Sequence, residues 1–85
     1  MMVPFIHLNG TSHQTLLEQT DAAFRAVTGA IEALQVAAPN HRDYYPRGDA
    51  AWRQVLQEHR TRLEALERVR NELNTILIAI CEVPL

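Results

Sequence analysis

Twice along this chain apolar side chains return at alternating steps of three and four, and a single stretch rich in helix breakers separates the two runs. The first run is Leu17, Thr20, Phe24, Val27, Ile31, Leu34 and Ala38. The second is Trp52, Leu56, His59, Leu63, Leu66, Val69, Leu73, Ile76 and Ile80, eight steps over 28 residues. That spacing, a mean of 3.5, belongs to helices that bury one stripe against another helix. Between the runs, Pro39 and Pro46 lack the amide a helix needs, and Gly48-Asp49 reads as a helix entry. The pattern predicts an all-α fold, a long antiparallel two-helix hairpin in a single domain over residues 1–85.

The expected elements are an extended segment over residues 1–10, a first helix over 11–38, a connecting loop over 39–48 and a second helix over 49–82. Val3, Phe5, Ile6 and Leu8 favour extended geometry, while Pro4 bars a fully paired strand. Such a segment pairs with its copy in another subunit, pairs with the tail Val83-Pro84-Leu85, or lies flat over helices. Thr11 is the expected first N-cap, with Gln14 reaching back in a capping box, and Asp49 is the expected second. Leu16, Ala23, Ala30 and Ala37 run seven apart beside the first seam, and close approach of another helix would compensate for Gly29. Glu58 with Arg62, Glu64 with Arg68 and Arg68 with Glu72 have helix-pair spacing on a solvated face. Residues 76–81 are apolar all round, so burial on every side is expected there.

A hairpin of 85 residues has little core, and the single Cys81 excludes an internal disulfide. Stability is therefore expected from self-association into a homo-oligomeric helical bundle, a homodimer or higher, with coiled-coil-like seams. The net charge of -2 offers no basic field for DNA or RNA. No run approaches the ~20 apolar residues of a membrane span, and the opening residues lack a basic signal region, so a cytoplasmic location is expected.

The breaker stretch concentrates the chemistry. Arg42, Arg47 and, one turn into the second helix, Arg53 supply guanidinium groups for an anion. Tyr44, Tyr45 and Trp52 supply rings on which a base stacks, and Asn40 and His41 supply hydrogen bonds. The same residues also suit a packed loop, with Asp43 and Asp49 neutralising the arginines. His13, with His7, Asn9, Thr11 and Ser12, forms a second polar cluster at the opposite end. In an antiparallel dimer it would meet the partner's loop; alternatively it serves capping alone. His59, on the seam, is expected to bond a facing polar group such as Thr20 or Gln35.

The four histidines have no metal-ligand spacing, and no metal site or cofactor is expected. Ser12-His13 has no acid placed for a triad, no phosphate-binding Gly-rich loop occurs, and Cys81 lies in an apolar run as a small hydrophobe. No enzyme activity is expected.

His7-Leu8-Asn9-Gly10-Thr11-Ser12 ahead of Leu16-Leu17, and Ala38-Pro39-Asn40-x-Arg42-Asp43-Tyr44-Tyr45-Pro46 between two helices, resemble small phage and prophage proteins of unassigned role. In architecture the chain is similar to phage helical-hairpin "sponge" proteins, which oligomerise and sequester cyclic-nucleotide signals of bacterial immunity. The resemblance implies a counter-defence protein in the cytoplasm of a host bacterium that binds a nucleotide-like small molecule. Two alternatives stay open: an inhibitor or adaptor that binds a host defence protein, in the manner of an anti-CRISPR, and a structural accessory protein of the phage.

Overall fold

A computed structural model describes residues 1–83 and shows two long helices, with no strand among them. Helix α1 spans His13–Val36 and helix α2 spans Asp49–Cys81. They run antiparallel as a hairpin with extents of 61 × 21 × 18 Å.

Local chemistry sets each boundary. α1 is capped by Ser12, not by Thr11: Ser12 Oγ accepts from the Thr15 amide at 3.1 Å and donates to Thr15 Oγ1 at 2.8 Å. Ser12 holds the extended dihedrals a cap needs (φ -62°, ψ 154°), so the cap falls one residue later than expected and no reciprocal box forms. Gln14 turns outward instead and donates to Glu18. α1 stops at Val36, two residues short of Ala38, because Pro39 disfavours helical geometry in the residue before it.

The connection folds into two short 3-10 turns, His41–Asp43 and Tyr45–Arg47. Gly48, at φ +92°, then lets the chain swing into α2 and takes the N-cap position, leaving Asp49 inside the first turn. Its carbonyl accepts from the Trp52 amide at 3.2 Å. At the other end of the molecule, a turn closed by the Gly10 amide on the His7 carbonyl leads into α1. A Cβ on Gly10 would sit 2.7 Å from His7 Nε2, so any other residue there requires the exposed His7 ring to swing aside.

Among the described residues only Ile31 and Ile80 are buried. Leu17, Phe24, Val27, Leu34, Leu63, Leu66, Leu73 and Ile76 are half-buried, as expected for seams covered from one direction. Leu56 and Val69 stay exposed, and Val55 and Arg70, one residue along, sit deeper in their place. Two helices meet along a narrow strip, so a seam position one step off the line remains open to water. Within the single chain, residues 76–81 are not covered on every side by the amino-terminal segment: Ile80 is buried, but Ile78 is 49 % exposed and Cys81 is exposed, which leaves another subunit as the expected cover.

The amino-terminal segment is not paired as a strand. Pro4 and Ile6 are half-buried, Met1 lies over the Glu64–Thr75 stretch of α2, and Met2, Phe5 and Leu8 face solvent. Pro84 and Leu85 lie outside the described residues, and with them the proposed pairing of the tail. Nothing lies within 4 Å of the position a Cβ on Gly29 would take, so α2 makes no close approach there. Of the expected ion pairs Glu58–Arg62 forms, at 3.7 Å, and Arg68 makes none among the described residues; Asp21–Arg25, which was not expected, forms at 2.8 Å. No helix among those residues is long and apolar enough to cross a membrane.

Candidate functional site

The tip of the hairpin is built on Trp52, in the first turn of α2 and half-buried. The His41 ring meets it edge-on at 5.1 Å (interplanar 75°), and the Tyr44 ring lies 6.1 Å away. Tyr45 extends the series 6.2 Å from His41 and remains 62 % exposed. Three features of the loop produce this arrangement. Asn40 Oδ1 accepts from the Arg42 amide and opens the first 3-10 turn. Pro46 fixes the second turn, and its wound backbone carries Tyr44 back over α2. Edge-on and offset ring pairs of this kind are each worth roughly 0.5–1.5 kcal/mol beyond their burial.

Beside the rings lies a cleft of about 340 Å³, lined by Asp43, Tyr44, Arg47, Ala51, Gln54, Val55 and Glu58. Here Tyr44 and Arg47 of the loop share a concave surface. Asp43 and Glu58 bring carboxylates to the same walls. Glu58 is held there by Gln54 Nε2, which donates to Oε1 at 3.0 Å, and by Arg62 on Oε2.

The expected site residues divide into three groups. Tyr44 and Arg47 line the cleft; His41 and Tyr45 belong to the ring series above it. Asn40 shapes the loop from its exposed edge, and Arg42 enters the hydrogen bonding through its backbone amide. Arg53 turns its Nε toward the Asp49 carbonyl at 3.4 Å, an exposed and marginal contact. The three arginines do not converge on one point.

His13 stands apart from them all. It lies at the opposite end of the molecule, where Nε2 donates to the Ile80 carbonyl at 2.8 Å across 67 residues of sequence. That carbonyl belongs to the last turn of α2, where it also accepts from the Val83 amide at 3.3 Å, and the histidine adds a long-range bond to this local one. The histidine therefore fastens the open end of the hairpin. His59 is half-buried and makes no hydrogen bond with Thr20 or Gln35.

Sequence reading passed over Ala51, Gln54, Val55 and Glu58 as site residues. Their steps of three, one and three mark a single helix face over two turns, the signal by which they were accessible.

Fold and tip together define a small antiparallel helical hairpin with one concave, ring-lined end. No family model matches the chain, and no match was found among curated proteins or solved structures.

Proposed function

We propose that this chain is a non-enzymatic binding protein that sequesters a small nucleotide-like molecule at the tip of its hairpin. The observation that carries the reading is the shared cleft, in which the Tyr44 ring and the Arg47 guanidinium face one volume of about 340 Å³. Volumes from about 300 Å³ upward accommodate small ligands. A ring for stacking and a cation for phosphate are the two elements a nucleotide requires. Asp43 and Glu58 are acceptors only when ionised, and they suit the amino edge of a base or the hydroxyls of a ribose. One arginine against two carboxylates favours a ligand of low charge, a mononucleotide or cyclic nucleotide, over a triphosphate. A cyclic-nucleotide immune signal, sequestered in the cytoplasm of a host bacterium by a phage-type counter-defence protein, fits this chemistry.

Calorimetric titration of cyclic and linear mononucleotides tests the site. Arg47→Ala is expected to weaken binding at least tenfold with an unchanged melting temperature, because the arginine is exposed and makes no ion pair among the described residues. Equal affinity in that variant removes Arg47, and with it the cleft, from the assignment.

A second reading, an inhibitor of a host protein, draws support from the amino-terminal segment. Met2 is 89 %, Phe5 83 % and Leu8 98 % exposed, a short apolar string of the kind protein partners cover. Co-purification of one stoichiometric protein, lost on deletion of residues 1–8 and not on Arg47→Ala, would favour it.

A further inference from the structure

We infer that a second copy of this chain packs on one particular side of the hairpin, the side bearing Leu16, Ala23 and Ala30 on α1 and Ala65, Val69 and Ile76 on α2. This inference stands apart from the ligand reading above.

The two sides of the hairpin differ in chemistry. On α1, the residues one step before the seam are apolar apart from Gln19: Leu16, Ala23, Ala26, Ala30 and Ala33. Those one step after it are charged or polar: Glu18, Asp21, Arg25, Thr28, Glu32 and Gln35. On α2, Ala65, Val69 and Ile76 stand one step before the half-buried Leu66, Arg70 and Leu77. Glu67, Asn71 and Ile78 stand one step after them. Successive residues of a helix turn by 100°, and the two helices run in opposite directions. The positions before the seam therefore point to the same side on both helices, and the positions after it point to the other. The hydrogen bond of His13 to Ile80 sets the register, which brings Leu16 level with Ile76 and Ala23 level with Val69. The result is one mostly apolar face, interrupted by Glu72 between Val69 and Ile76 and bounded by Arg62, and one mostly charged or polar face.

The mostly apolar face is not covered within the chain. Ala23, Ala30, Ala65 and Val69 are exposed, and Leu16 and Ile76 are half-buried.

Surface area identifies an occupant of the right size. The chain exposes 6488 Å², whereas a compact protein of its 9.7 kDa exposes roughly 5,100 Å². The excess of about 1,400 Å² exceeds the ~800 Å² per partner that a stable association buries. Shape selects a second copy. The α1 row carries alanines and the α2 row carries Val69 and Ile76, so one helix offers a shallow groove and the other a ridge. A two-fold axis lying in the plane of the interface and parallel to the helices sets the ridge of each copy in the groove of the other, and a four-helix bundle results. Val55, Glu58 and the loop that form the cleft lie toward the tip from this face.

Sedimentation equilibrium of the full chain between 1 and 100 µM tests the inference, with Ala23→Glu, Val69→Glu and, as control on the other side, Asn74→Glu. All three substituted residues are exposed in the single hairpin. Wild type and Asn74→Glu are expected to sediment as dimers, and Ala23→Glu and Val69→Glu to raise the dissociation constant at least tenfold. A wild-type melting temperature that rises with protein concentration is expected alongside, and does not depend on how the variants fold. A monomeric wild type, or dimers of unaltered affinity in both Ala23→Glu and Val69→Glu, overturns the inference.

Discussion

At the scale of single residues, two hydroxyls compete for one cap. Thr11 and Ser12 are adjacent and both are good cap residues, and only the backbone dihedrals decide between them. Ser12→Ala is expected to lower unfolding free energy by about 1 kcal/mol in urea titration, and Thr11→Ala by less than about 0.5 kcal/mol. Equal losses would return the cap to both residues. The same limit governs the arginines of the loop. Sequence placed Arg42, Arg47 and Arg53 within one short segment, but proximity along the chain does not fix direction. The two 3-10 turns rotate successive side chains apart, so only Arg47 reaches the cleft. Tyr44 and Tyr45 were legible as a ring pair, and their roles then diverge, one lining the cleft and the other lying above it.

At the scale of elements, the helices were legible because a period of 3.5 sustained over many turns has no other reading. The contacts that join them were not. His13 and Ile80 are 67 residues apart, and no local pattern links a polar residue at one helix start to a carbonyl at another helix end. His13→Ala is expected to cost about 1 kcal/mol of stability and to speed amide exchange in the last turn of α2. Exchange unchanged at that end would mean the hydrogen bond does not fasten it. The choice between Leu56 and Val55 at the seam was likewise hidden, because both are aliphatic and differ only by 100° around the helix. The breaker stretch was legible as a loop through Pro39, Pro46 and Gly48, and its two 3-10 turns follow from Asn40 and Pro46 once the flanking helices are fixed.

At the scale of the whole molecule, a hairpin 61 Å long with two buried side chains among those described has too little core to rely on itself. The two proposals assign assembly and binding to different places: the more apolar side for a second copy, the ring-lined tip for a ligand. Such a division lets each end be altered without the other, and Arg47→Ala and Ala23→Glu are expected to separate the two properties. The central claim is that the tip holds a nucleotide-like molecule. Native mass spectrometry of the full chain, with and without a mixture of linear and cyclic nucleotides, tests it most directly. The predicted result is an oligomer that gains nucleotide mass in whole-number ratio to its subunits, with no gain in Arg47→Ala. An oligomer that gains no mass from any nucleotide in the mixture would contradict the claim.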